Sequence, residues 1–287
     1  MKKKVIMTLT ILVLIGLVIW ILWGNTALEI SEYEIVTDQI PQGFDGFRIA
    51  QISDLHNAQF GEGNAKLIGA LFQANPDIIV ITGDLIDSRH TEIGIALEFA
   101  RQAMKIAPVY YVSGNHEARV QEYQDLKKGL ADAGVILLEN EKTEISRGGE
   151  CVTLMGIDDP SFRVDYLFGD AESVARQAIE KLQNESDGYT ILLSHRPELF
   201  ELYVDSGIVL VFSGHAHGGQ FRLPFAGGLA APNQGFFPEY DAGRFEEENT
   251  TMIVSRGVGN SIIPIRINNR PEIVLSELKW GNLNDEH

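Results

Sequence analysis

The sequence predicts a layered α/β fold behind one membrane-spanning helix, on three observations. Lys2, Lys3 and Lys4 precede an uncharged run that extends from residue 5 to residue 23. From about residue 46, short β-branched runs alternate with helical patterns. Five of those runs end in a carboxylate, amide or imidazole side chain.

The amino-terminal run is long enough, at about 1.5 Å per helical residue, to approach a bilayer core of roughly 30 Å. Trp20 and Trp23 close it, where interfacial aromatics belong. A cleaved signal peptide is the alternative. Its apolar core is usually only about 7–15 residues, and Gly24-Asn25-Thr26-Ala27 is a weak cleavage site. The expected organisation is an anchor with a short exit over 1–28 and one catalytic domain over 29–287. The lysines should stay cytoplasmic, leaving that domain outside the cell membrane on a single-pass helix.

Beyond the anchor, strands are expected at 47–52, 78–81, 109–112, 152–155, 190–193, 208–212 and 252–254. Leu67, Ile68, Leu71 and Phe72 form one helical stripe, and Tyr123, Leu126 and Leu130 another. Val174, Ala175, Ala178, Ile179 and Leu182 form a third, with Asp170 as its N-cap. Alternation of strands and helices implies parallel or mixed sheets covered by helices. Residues 252–254, 262–267 and 273–278 have no helix between them and read as antiparallel strands. Helices should thus flank more than one sheet.

Composition narrows the function. The chain has 287 residues, 45% apolar, 9% aromatic and 22% charged, which excludes disordered, collagenous and coiled-coil classes. The formal net charge is −17, and all three charges of the first 28 residues are lysines. So acidic a body repels phosphate backbones and excludes broad nucleic-acid binding. The single cysteine, Cys151, leaves no partner for an internal disulfide and no thiolate set for zinc.

The chemistry sits where the strands end: Ser53-Asp54-Leu55-His56, Gly83-Asp84, Gly114-Asn115-His116-Glu117, His195 and Gly214-His215-Ala216-His217. In open α/β sheets, carboxyl ends of strands line the ligand crevice. A lone Asp there is usually a turn residue or helix cap, and a lone His a structural one. Five of the seven histidines in one such set are not explained that way. Carboxylate, imidazole and amide without thiolate suit Mn, Zn or Fe. Asp54, His56, Asp84, Asn115, His195, His215 and His217 are too many ligands for one tetrahedral ion. They suit two divalent ions, about 3.5–4 Å apart, sharing a hydroxide that attacks phosphorus in line.

Those blocks, in that order, resemble the calcineurin-like metallophosphoesterase superfamily over about residues 46–278. Ile52-Ser53-Asp54-Leu55-His56, the 214–220 block, Ser255-Arg256-Gly257 and Pro264-Ile265-Arg266-Ile267-Asn268 are similar to a membrane-anchored bacterial branch. That branch comprises phosphodiesterases and UDP-2,3-diacylglucosamine hydrolase-like enzymes. The resemblance implies a four-layer α/β/β/α sandwich of two mixed sheets. It implies Asp54, His56 and His217 on one ion, Asn115, His195 and His215 on the second, and Asp84 between them. His116 would contact the phosphate and protonate or stabilise the leaving oxygen. Glu117 and Ser194 lie beside the site as candidates for orienting a ligand. Ala216 stands where the family usually has Thr.

Asp87 occupies the position of the tyrosine ligand of purple acid phosphatases, which argues against an Fe(III)–tyrosinate centre. Val112-Ser113 replaces the Leu-Arg of protein Ser/Thr phosphatases, which leaves that branch as an alternative only. A catalytically inactive scaffold on the same fold is the other alternative. The expected substrate is a phosphodiester or pyrophosphate, lipid-linked or from the cell envelope. Oligomeric state is open. Two stretches, 158–169 with Phe162, Tyr166 and Phe168, and 218–240 with Phe221, Phe225, Phe236 and Phe237, read as lids. Their rings either cover the edge of the core or meet an apolar substrate or membrane surface.

Overall fold

The structure, a computed structural model, describes residues 2–163, 170–184, 188–260 and 263–281. The expected lid residues Tyr166 and Phe168 lie outside them.

Two six-stranded mixed sheets make the body. The first runs, in spatial order, β1 (Glu29–Thr37), β16 (Glu272–Trp280), β2 (Arg48–Ile52), β3 (Ile78–Thr82), β4 (Val109–Val112) and β5 (Ile136–Leu137). Strands β2 to β5 are parallel, and β16 is antiparallel to β2 but parallel to β1. The second runs β14 (Gly243–Glu247), β15 (Thr250–Val254), β9 (Leu210–Ser213), β8 (Thr190–Leu193), β7 (Glu150–Gly156) and β6 (Glu141–Arg147). Its four inner strands are parallel, and both edges pair antiparallel.

Val- and Ile-rich strands buried on both faces explain the layering. Ile49, Val80, Tyr110 and Val112 face Leu154, Ile191, Leu193 and Phe212 in a core between the sheets. The alternate residues Ala50, Ile79, Ile81 and Tyr111 pack outward on α2 (Ala65–Ala74), α3 (Ile93–Ala103) and α4 (Tyr123–Asp132). Leu192 and Val211 pack outward on α5 (Ala171–Gln183) and α6 (Phe200–Asp205). The result is the expected α/β/β/α order. Leu67 and Leu71 of the first stripe are buried, while Phe72 is exposed. All of Tyr123, Leu126 and Leu130 are buried. Asp170 does cap α5, accepting from the Ser173 N–H at 3.0 Å. Ahead of the sheets, α1 (Lys2–Thr26) has no buried residue and is long and apolar enough to cross a membrane.

The carboxyl-terminal expectation needs correction. Residues 252–254 and 273–278 belong to different sheets. Between them, 263–266 form no strand, and Ile267 makes one isolated bridge to Phe221. Gln220 Nε2 donates to the carbonyls of Ile263 and Ile265, at 2.8 and 2.7 Å, so these acceptors are taken by a side chain instead of a ladder. This stretch crosses from one sheet to the other over the strand ends. The edge strand β1, which shows no clean alternation, was silent in the sequence pattern. Glu32 and Glu34 face outward, and among the described residues β16 is its neighbour in the sheet.

Candidate metal centre

The carboxyl ends of β2, β3 and β4 meet those of β8 and β9, and all eight predicted site residues are brought together there. Each of them is buried. Glycines allow the approach. A Cβ on Gly114 would fall 2.2 Å from Asp84 Oδ1, and one on Gly214 would fall 1.9 Å from Ser53 Oγ. Asp54, His56, Asp84, His215 and His217 all adopt left-handed backbone, with φ between 44° and 65°. Such residues cost about 1–3 kcal/mol each and persist only where the surroundings fix them.

Three groups of side chains could each hold a metal ion: Asp54, His56 and His217; Asp84, His195 and His215; and His56, Asp87 and His116. In the first, His217 Nε2 lies 3.0 Å from His56 Nε2 and 3.2 Å from Asp54 Oδ1. In the second, His195 Nε2 lies 3.1 Å from His215 Nδ1, 3.3 Å from Asp84 Oδ2 and 3.3 Å from Asn115 Oδ1. Asp84 Oδ2 is also 3.6 Å from His56 Nε2, so one oxygen reaches both groups. The donor set fits hard-to-borderline divalent cations. His195 Nδ1 donates to the Thr82 carbonyl at 2.7 Å, so Nε2 is the ring atom turned toward Asp84 and the one that would meet a cation after giving up its proton.

Charges are divided sharply. Burial alone would raise Asp54, but His217 and His56 hold it well below the ordinary carboxylate range. Burial opposes Asp84 likewise, and His195 overcomes it. His195 itself is pushed down by burial but lifted to about 10 by Asp84. Burial pushes His217 down to about 3 and His116 to about 4.

His116 stands outside the Asp54 and Asp84 groups and joins His56 and Asp87 in the third. Its backbone N–H donates to Asp84 Oδ1 at 2.8 Å. Its Nδ1 accepts from the Ser88 backbone N–H at 3.0 Å, which leaves Nε2 as the ring's donor. Glu117 accepts the N–H groups of Asp84 and Gly114 through one oxygen, at 2.9 and 2.8 Å, and that of Ile86 through the other, at 3.3 Å. It therefore ties two loop backbones together and touches no ligand side chain. Ser194 pairs with the Tyr203 hydroxyl at 2.7 Å and does not contact a candidate ligand.

Sequence reasoning gave no role to Arg196 and Arg266, both buried. Arg196 is paired with Asp159 and places Nη1 3.2 Å from His215 Nε2. Arg266 places Nη2 3.5 Å from His217 Nδ1. Adjacency to His195 was a signal for the first. The signal for the second was the 264–268 block, which carried the resemblance but assigned Arg266 no role.

An α/β/β/α sandwich with histidines and carboxylates at its strand ends defines a class of metal-dependent hydrolases. Residues 47–219 match the calcineurin-like phosphoesterase family, and the chain belongs to it. It is a metallophosphoesterase, a hydrolase of phosphoric esters, and the family works with a pair of divalent metal ions. The chain is similar to the uncharacterised metallophosphoesterase YkuE of Bacillus subtilis, 30% identical over 264 residues, covering 89% of this chain and 87% of that one. A transmembrane protein with a metallophosphoesterase domain from Danio rerio is 31% identical over 88% of this chain, which spans 57% of its length. The phosphodiesterase YaeI of Escherichia coli is 27% identical over 81% of this chain and 82% of its own.

Proposed function

We propose that the protein hydrolyses a phosphodiester or pyrophosphate bond in a lipid-linked or cell-envelope substrate, such as a UDP-2,3-diacylglucosamine-like molecule. Asp54, His56 and His217 would hold one divalent ion, Asn115, His195 and His215 would hold the other, and Asp84 would serve both. The observation that carries this reading is the Asp84 oxygen within 3.6 Å of His56 and 3.3 Å of His195. Mn, Zn and Fe suit the ligands equally. When bound, the pair supplies Lewis acidity and lowers the pKa of a coordinated water. The chain's own contribution is positional. Asp54 and Asp84 stay ionised, His195 turns Nε2 toward Asp84, and Glu117 fixes the loops that present Asp84 and Asn115.

His116 acts as a neutral hydrogen-bond donor through Nε2 to the phosphate or leaving oxygen. The Ser88 N–H opposite Nδ1 works against its protonation. This favours stabilisation over proton delivery, of the two roles expected from sequence. The YaeI likeness supports a diester, and the helix with the transmembrane relative supports membrane association. In this reading α1 anchors a 29–287 domain outside the membrane, with Lys2, Lys3 and Lys4 inside.

The test is metal analysis of the full-length protein in detergent, followed by hydrolysis of bis-p-nitrophenyl phosphate, phospholipids and UDP-sugars with each metal in turn. Two metal equivalents and diester turnover are expected. A metal-free wild type without turnover would instead identify a scaffold, and preference for phosphopeptides a protein phosphatase.

A further inference from the structure

Outside α1, six large exposed apolar side chains gather on two neighbouring loops. Leu223, Phe225, Phe236 and Phe237 lie on a pair of short hairpins, β10 (Arg222–Leu223) with β11 (Gly227–Gly228) and β12 (Ala230–Ala231) with β13 (Gly235–Phe236). Ile263 and Ile265 lie on the crossing strap. The expectation that such rings cover the edge of the core fails for Phe225, Phe236 and Phe237. Phe225, at a hairpin tip, is fully exposed.

The two loops are fastened to each other. Gln220 holds the carbonyls of Ile263 and Ile265, and the Arg222 N–H donates to the Ile267 carbonyl at 2.9 Å. The strap is also fastened to the end of α1. Arg266 N–H donates to Asn25 Oδ1 at 2.7 Å, and Asn25 Nδ2 returns a bond to the Arg266 carbonyl at 3.0 Å. Arg270 donates to the Leu28 carbonyl at 2.7 Å and lies over the Trp23 ring at 4.9 Å. The same strap reaches the candidate site, because Asn269 Nδ2 donates to the His217 carbonyl at 2.7 Å. Apolar rim, helix exit and His217 are thus parts of one hydrogen-bonded assembly.

We infer that this rim docks the site's mouth onto the lipid surface from which α1 emerges. The occupant is a bilayer leaflet because the rim is continuous with the end of an exposed helix apolar enough to cross one. Ile265 is the chain neighbour of the residue that grips Asn25, at the level of the interfacial residues Trp20 and Trp23. Apolar side chains on loop tips beside an anchor are shaped to enter a headgroup layer, where buried apolar area sets binding. α1 is then a fixed mast, and a phosphoester in the leaflet meets the site without leaving the membrane. This rests on the membrane reading of α1 given above.

The experiment uses the full chain carrying Cys151→Ser, reconstituted in phosphatidylcholine–phosphatidylglycerol vesicles. Cysteines at 225, 237, 265, 13 and 72 are labelled one at a time with an environment-sensitive fluorophore and quenched by nitroxide lipids. Position 13 lies in α1, and Phe72 is an exposed apolar residue on α2. Labels at 225, 237 and 265 should be quenched at least about threefold more than the label at 72. Quenching at 13 with 225, 237 and 265 equal to 72 would overturn the docking while the anchor stands. No quenching at 13 would overturn both. Protection of 225 and 237 that rises with protein concentration in lipid-free detergent would make the rim a self-association surface instead. None of these readouts depends on turnover, so failure of the proposed hydrolysis is seen separately.

Discussion

At the strand ends, five histidines and two aspartates lie inside the protein; along the rim, six large apolar side chains lie outside it. Each region inverts the usual partition, and each inversion has its own support. The buried polar groups are held by opposite charge and by backbone donors, as Asp84 is by His195 and the His116 N–H. The loops that carry the exposed apolar groups are held through backbone carbonyls and N–H groups, as Ile263 and Ile265 are by Gln220. The difference teaches that polar groups are brought indoors for chemistry at a fixed geometry. Apolar groups left outdoors await a solvent other than water.

Four measurements would break or sharpen this contrast. Asp84→Asn has the largest expected effect, a loss of about a thousandfold or more in diester turnover together with metal, because both groups lose their shared oxygen. Retained metal with ordinary turnover would remove Asp84 from the centre. His116→Ala should slow turnover by about a hundredfold while metal content is unchanged. Loss of metal in that variant would make His116 a ligand.

Acid stability follows from the depressed histidines. His116 sits at about 4, below the roughly 6.5 of an unfolded chain. A depressed group contributes stability that is present above its unfolded pKa and is lost as the pH falls through its folded one. Metal-stripped protein should weaken between about pH 6.5 and 4, and His116→Asn should recover on the order of 2 kcal/mol of that loss. Denaturant midpoints at pH 7 and pH 4 measure it, and parallel losses in both proteins would contradict a buried, neutral imidazole. The smallest effect belongs to the rim. Replacing Phe225, Phe236 and Phe237 together by Ser should move the melting temperature by less than about 2 °C, since exposed side chains contribute little to folding. A drop of 8 °C or so would place these rings in the core after all.

Much of this was legible in the residues. Strands buried on both faces carry an unbroken apolar signal, so β2, β3, β4, β8 and β9 stand out, and so do the polar groups that follow them. Gly114 and Gly214 stand where the backbone closes on a carboxylate or hydroxyl, and Gly83 where it closes on Gly114 and the His195 ring. The edge strand β1 was not read and 263–266 was misread as strand, because an edge needs only one partner and a strap held by Gln220, Asn25 and Asn269 has no periodicity.

The candidate ligand types, their order along the chain and the apolar amino-terminal helix were determined by the sequence alone, because each depends on local chemistry and spacing. Which imidazole faces which carboxylate, that Arg266 joins the helix exit to His217, and that the aromatic hairpins point outward were decided by tertiary structure. Those contacts join residues up to 241 positions apart, as Asn25 and Arg266 are. No local pattern encodes such a distance; only the packing of two sheets brings it to bonding range.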